Sequence, residues 1–199
     1  MNKILAYCIA FLLSAQFAGA GIRDEARLLD TWSEMNSWPV DTQPIDLAQT
    51  LDKKLAFVLG DNGSTYIYSA VGEQIGMVRT GGRPVALAIE PRGRMLYLAD
   101  QTGKCTAVNI SLEGGVLNWS VRKTWKTAAR PLDIALASRR NLVFVLENDR
   151  AVHVYTLTGQ SQGTIPVDPG TSALNIVPRS RTLYLMSQDG FFSRLESPF

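Results

Sequence analysis

Short alternating and continuous apolar runs recur over residues 44–197, and none of them reaches helical length. The clearest example is Pro131 to Thr156, PLDIALASRRNLVFVLENDRAVHVYT. It opens on alternation: Leu132, Ile134 and Leu136 are apolar, whereas Asp133, Ala135 and Ala137 are polar or small. A basic turn (Ser138 to Asn141) leads to a continuous apolar run, Leu142 to Leu146. A polar turn (Glu147 to Arg150) then leads to a second alternating run, Ala151 to Tyr155. Runs this short, rich in β-branched, leucine and aromatic residues and bounded by turn residues, predict strands. The continuous middle run predicts a strand buried on both faces.

The same layout starts again at Pro44, at Pro84 and at Ala173, so the units step by 40, 47 and 42 residues. A recurrence of this length is the signature of stacked modular units. A small sheet buried on both faces needs a neighbour on each, and a radial stack of antiparallel sheets supplies them. The expected fold is all-β: a β-propeller of about four small antiparallel blades. Outer strands are expected at Ile75 to Thr80, Trp119 to Trp125 and Gly163 to Val167. The longest connection, Ser111 to Leu117 with Gly114-Gly115 inside it, is expected to be a mobile loop. Phe57, Tyr97, Phe144 and Tyr184 hold equivalent places and are expected to be buried between blades. Small residues on the first strands (Ala48, Ala86, Ala88, Ala135 and Ala137) permit the tight centre of a four-bladed ring. Two chains combining into an eight-bladed ring is the alternative.

The runs Leu96-Tyr97-Leu98-Ala99-Asp100 and Leu183-Tyr184-Leu185-Met186-Ser187 carry a resemblance. Phe57-Val58-Leu59-Gly60-Asp61 and Phe144-Val145-Leu146-Glu147-Asn148 carry it more loosely. They resemble the YVTN type of β-propeller repeat, in which a proline-led strand and a turn precede a Leu-Tyr-Val-type strand. The resemblance spans residues 44–197 and implies fold, not activity, because propellers host many unrelated roles.

Residues 1–20 read as a secretory signal peptide: Lys3, an apolar stretch from Ile4 to Leu13, and small residues at Ala18-Gly19-Ala20. Export to the periplasm or medium is the corresponding expectation, with no transmembrane segment after removal of the signal. Residues 21–43 form a lead-in, read either as a short helix or as a strand that closes the last blade. Closure removes unpaired sheet edges. The propeller domain is residues 44–199. Cys8 lies in the signal, which leaves Cys105 without an internal disulfide partner, either buried or pairing with another chain. Trp32, Trp38, Trp119 and Trp125 are expected to pack in cores or between blades.

The net charge of +2 gives no indication of nucleic acid. The single histidine, His153, sits within a strand pattern with no serine or metal-ligand partner at a diagnostic spacing. Asp46, Asp133 and Asn175 are expected to share one slot of the innermost strands, with Ala86 in the remaining repeat. Such hard oxygen donors suit a calcium ion in the channel, but that ion needs 6–8 oxygens, so solvation of the channel or bonding to neighbouring strands is the preferred reading. No metal or cofactor is assigned.

Charge placement is more informative. The four turns between first and second strands carry Lys53 and Lys54, Arg92 and Arg94, Arg139 and Arg140, and Arg179 and Arg181. Equivalent turns of a propeller share a rim. The opposite rim is expected to carry Asp61, Asp100, Glu147, Asp149 and Asp189, mixed with Arg83 and Arg130. The leading functional reading is an exported, non-enzymatic propeller acting as a protein-interaction or scaffold module in the cell envelope or outside it, with an acidic protein face, an anionic envelope polymer or an anionic lipid headgroup met on the basic rim. The alternatives are a small propeller hydrolase or lyase with channel calcium, and an accessory subunit of an exported redox complex; the chain itself has no CxxCH for haem.

Overall fold

A computed structural model describes residues 37–176 and 182–196. Blade 1 is β1 (Pro44–Gln49), β2 (Leu55–Gly60), β3 (Thr65–Ser69) and β4 (Gln74–Val78). Blade 2 is β5 (Pro84–Ile89), β6 (Met95–Asp100), β7 (Lys104–Glu113) and β8 (Val116–Lys126). Blade 3 is β9 (Pro131–Ala137), β10 (Leu142–Glu147), β11 (Ala151–Thr156) and β12 (Ser161–Pro166). Blade 4 has three described strands, β13 (Thr171–Ile176), β14 (Thr182–Ser187) and β15 (Phe192–Glu196). Each blade is an antiparallel meander in chain order, and the whole is a four-blade β-propeller with no α-helix among the described residues. The expected outer strands form β4, β8 and β12. The signal segment, the lead-in through residue 36, residues 177–181 and residues 197–199 lie outside the described residues.

Innermost strands pack in sequence, β1 on β5, β5 on β9 and β9 on β13. Three cores fill these junctions. Phe57, Leu59 and Ile67 meet Leu87, Leu96 and Leu98 between blades 1 and 2. Tyr97, Ala99 and Cys105 meet Ile134, Val143 and Val145 between blades 2 and 3. Phe144, Leu146 and Val152 meet Leu174, Leu183 and Leu185 between blades 3 and 4. Each fully buried large apolar side chain stabilises the fold by about 1.5–3 kcal/mol. The middle strands serve two cores at once, so their apolar residues are consecutive rather than alternating. Among the described residues no comparable packing joins blade 4 back to blade 1.

That arc explains one departure from the sequence reading. Phe57, Tyr97 and Phe144 are buried as expected, but Tyr184 is half-buried and stacks on exposed Phe192. The first three face a following blade; Tyr184 faces the end of the arc. A second departure is the segment Ser111 to Leu117. It is not a loop: β7 and β8 stay paired out to Glu113 opposite Val116. Only Gly114 and Gly115 form the turn, at φ 57° and 81°. Positive φ at both central residues is the geometry of a tight two-residue hairpin, and glycine reaches it without strain. Leu117 in the extended β8 seats on Gly76 of β4, where a side chain would collide with it.

Register also corrects the fourth unit. Thr171, not Ala173, opens it: Thr171 pairs with Ser187 as Pro84 pairs with Asp100. Every first strand carries a bulge at this point, before Asp46, Ala86, Asp133 and Ala173. These four residues are equivalent. The chain then repeats over two blades as well as over one: Pro44, Asp46, Gly72 and Tyr97 recur 87 positions on as Pro131, Asp133, Gly159 and Tyr184, in matching strands and turns.

Candidate functional site

One rim is formed by the turns that follow the first strands. Lys53 and Lys54 lie in the β1–β2 turn, Arg92 and Arg94 in the β5–β6 turn, and Arg139 and Arg140 in a 3-10 turn, Ser138–Arg140, between β9 and β10. All six side chains are exposed, and none of them lies within 4.0 Å of a carboxylate among the described residues. Arg179 and Arg181 fall outside the described residues. The first two turns are laced together: Leu51 N–H donates to the Pro91 carbonyl at 2.9 Å. Gly93, at φ +74°, fits against Thr50 where a Cβ would clash. The Asp52 carboxylate accepts the Thr50 hydroxyl at 2.6 Å and the Lys54 N–H at 3.1 Å. The Thr50 bond is the main cause that holds Asp52 below its ordinary value. Asp52 is therefore a carboxylate spent on shaping its own turn, which leaves the two lysines facing solvent.

The opposite rim differs from its sequence reading. Asp61, Asp149 and Asp189 are exposed, but Asp100 and Glu147 are buried. Each of the two ties down the connector that enters its own blade. Asp100 accepts N–H groups from Arg83 and, at 2.7 Å, from Thr102. Glu147 accepts the Ala129 N–H and, at 3.0 Å, the Tyr155 hydroxyl. Burial pushes Glu147 above the ordinary carboxylate range, opposed by the Ala129 N–H, His153 and Tyr155. The same burial, with Glu147 beside it, pushes the Tyr155 phenol well up.

His153 lies in this cluster. Its Nε2 is 2.8 Å from Asp149 Oδ2 and 3.9 Å from Glu147 Oε2. Glu147, Asp149 and His153 present ligand atoms within 4.8 Å of one another, a spacing that could hold a metal ion. Both Glu147 oxygens already accept donors, however, and His153 is bonded to Asp149. The simplest chemistry of the group is a satisfied polar network, buried at Glu147 and His153 and open to solvent at Asp149. Beside it a cleft of about 350 Å³ opens between blades 3 and 4, lined by Arg130, Glu147, Asn148, Arg150, Asp168 and Thr171 among others. Its charges are mixed.

Asp46 and Asp133 sit between blades. Asp46 accepts the N–H of Leu47 at 2.8 Å and of Leu87, in the next blade, at 2.7 Å. Asp133 accepts Ile134 and, in the next blade, Leu174, both at 2.9 Å. Asn175 does not share their slot: it lies opposite Tyr184, two residues beyond Ala173, and matches Ala48, Ala88 and Ala135. Cys105, in β7, is fully buried, and burial raises its thiol far above the ordinary value, so it is a core residue. Trp125 is buried, Trp38 and Trp119 are exposed, and Trp32 lies outside the described residues. The network roles of Glu147 and Asp100 went unseen in the sequence; the acid at the end of a middle strand, before a turn, was the available signal.

No family model matches the sequence, and no curated protein matches it. Solved structures do. The chain is similar to Kuenenia stuttgartiensis hydrazine synthase at 17% identity and TM-score 0.63, over 83% of this chain and 49% of that one. It is similar to the RRP9 WD40 repeats at 14% identity and TM-score 0.62, over 80% and 52% of the respective chains. The β-propeller domain of Myceliophteria thermophila Cps50 (Swd1) matches at 11% identity and TM-score 0.60, over 73% and 50%. The chain thus spans about half the length of the structures it matches. At such identities the likeness is one of fold.

Proposed function

We propose that this propeller, built of YVTN-like repeats, is an exported, non-enzymatic scaffold that binds an acidic protein on the rim formed by the β1–β2, β5–β6 and β9–β10 turns. The observation that carries the reading is the set of six exposed basic side chains on equivalent turns, none paired with a carboxylate among the described residues. Clustered like charge raises the local potential that a total of +2 conceals, and it steers an oppositely charged partner. Among the described residues the opposite rim carries no such cluster: two of its acids, Asp100 and Glu147, are buried against connectors and its cleft is mixed in sign. Export rests on residues 1–20, whose charge, apolar stretch and small residues suit a cleaved signal.

A photo-crosslinking residue placed at Arg92, and separately at Asn148 on the other rim, tests the reading in the native host. The expected result is a discrete crosslinked protein from position 92 and none from position 148. Crosslinking from 148 alone would move the binding surface to the opposite rim. N-terminal sequencing of the isolated protein should begin at Gly21; retention of Met1 would contradict export by a cleaved signal.

A further inference from the structure

β7 and β8 have 10 and 11 residues, whereas the outer hairpins of blades 1 and 3 use strands of 5 and 6. Ile110 N–H donates to the Arg94 carbonyl at 2.8 Å, and beyond that bond the hairpin runs past β6 on the side of the basic turns. The tight turn at Gly114 and Gly115 makes Glu113 and Val116 a hydrogen-bonded pair, and along an antiparallel ladder such pairs alternate with non-hydrogen-bonded ones. Ile110 opposite Trp119 is therefore of the second kind, as its bond to Arg94 requires. By the same alternation so are Leu112 opposite Leu117 and Val108 opposite Val121. Leu117, Trp119 and Val121 thus turn their own N–H and C=O groups away from β7, to the outer edge of the blade. No strand among the described residues pairs with that edge.

The two faces of the hairpin differ. Val108 and Ile110 enter the core between blades 1 and 2, and Leu112, Leu117, Trp119 and Val121 share their face. Leu112 is 44% exposed, Trp119 39% and Val121 49%, so the core continues outward as an open apolar strip. The other face carries the exposed cations Arg122 and Lys123. Lys123 stands opposite Ala107, which lies in the core between blades 2 and 3, and Arg122 reaches Met95, packed against the same core. Proteins blunt a free edge with charge, proline or a bulge. In β8 these devices fall in the second half: the ladder shifts at Arg122, and Lys123 and Lys126 follow. Residues 116–121, VLNWSV, hold no charge, proline or glycine. The outer strands β4 and β12 are shorter, and each contains a glycine, Gly76 and Gly163, which weakens a strand.

We infer that the edge of β8 over residues 116–121 accepts a further strand from an acidic protein, an extended segment that alternates apolar and acidic side chains. The inference rests on the reading of an acidic partner at the basic rim and adds how that partner is held. Residues of the added strand opposite Leu117, Trp119 and Val121 share their face and cover the apolar strip. The residues between them fall on the face of Arg122 and Lys123, where carboxylates match the charge. Main-chain bonds to the edge give affinity, and the alternate side chains give specificity. Charge disfavours a second copy of this chain as the occupant: β7 and β8 carry Lys104, Arg122, Lys123 and Lys126 against Glu113 alone.

The probe is a short fluorescent peptide alternating valine and aspartate, titrated into the full chain and followed by anisotropy. In the added strand the valine N–H groups face β8 and the aspartate N–H groups face away. The peptide should bind, methylation of its valine nitrogens should weaken binding by at least about tenfold, and methylation of its aspartate nitrogens should not. Val121→Pro removes one outward N–H while leaving the ladder to β7, and should weaken binding as well; Val121→Ile should bind as the parent does. Absence of binding, or equal binding of the two methylated peptides, would overturn the inference. Amide hydrogen exchange needs no variant: the N–H groups of Trp119 and Val121 should exchange freely in the chain alone and become protected with the peptide. Protection in the chain alone would mean that the edge is already covered, and would overturn the inference too. Crosslinking from position 92 tests the rim separately. A protein captured there, with no peptide bound at β8, keeps the rim and removes the added strand; the reverse keeps the strand and removes the rim.

Discussion

The carboxylate of Asp46 accepts the backbone N–H of Leu87 at 2.7 Å and so bolts the first strand of blade 1 to that of blade 2. Asp133 repeats the contact onto Leu174, with the same separation of 41 residues. A buried N–H left without an acceptor costs about 1–3 kcal/mol. Asp133 serves two buried N–H groups, whereas one of the two served by Asp46 is only part-buried. Asp133→Ala is therefore expected to destabilise more than Asp46→Ala in urea unfolding, with both losses above about 1 kcal/mol. Equal stability of both variants and the parent would remove the bolts from the account.

Phe144 joins the core between blades 3 and 4. Phe144→Ala should cost about 3–5 kcal/mol, from lost burial plus the cavity left behind. Denaturant midpoints measured at constant slope give the value. A change within error would mean that blades 3 and 4 do not pack through this residue.

Cys105 has no exposed surface, and burial disfavours its thiolate. In a Cys8→Ser background a disulfide-exchange reagent should modify no thiol in the folded protein and one after unfolding, because the thiolate is the nucleophile. Rapid reaction of the folded protein would contradict the packing of β7 against blade 3.

Glu147 makes stability depend on pH. Burial raises its folded value above the ordinary 4.5, while its neighbours Ala129 N–H, His153 and Tyr155 oppose the rise and Asp149 adds to it. Between 4.5 and that raised value the folded protein holds a proton that the unfolded chain has released. Stability from this group therefore falls as pH rises through the window. Glu147→Gln should flatten the slope there. A slope unchanged in the variant would assign it to other groups.

The strand plan was legible because burial on both faces writes continuous apolar runs into β6 and β10, and the turns between them carry polar residues. The hydrophobic pattern fits a fourth unit opening at Ala173 as well as at Thr171, where register places it, for a physical reason. A slip of two residues keeps every side chain on its face, so alternation cannot detect it. It carried Asn175 into the wrong slot. Asp100 and Glu147 looked like rim charges because they precede turns; their burial comes from connectors that arrive from the previous blade, a contact local pattern does not encode. Ser111 to Leu117 looked like a loop because of its polar residues and Gly114-Gly115, yet those two glycines are what lets the hairpin turn tightly. The basic turns needed only the repeat, since equivalent turns share a rim by geometry.

The functional reading turns on those cations. Exposed turn charges contribute little to folding, so replacing Arg92, Arg94, Arg139 and Arg140 together by Ser should change stability by only about 0.5 kcal/mol. The direct measurement is the association rate with the protein captured at position 92, followed as salt is raised. Attraction between opposite charges is screened over about 8 Å at physiological ionic strength. The parent should associate faster at low salt, with a steep decline as salt rises, and the quadruple variant should associate slowly with a flattened decline. The same rate and the same salt dependence in both proteins would contradict a binding surface on this rim.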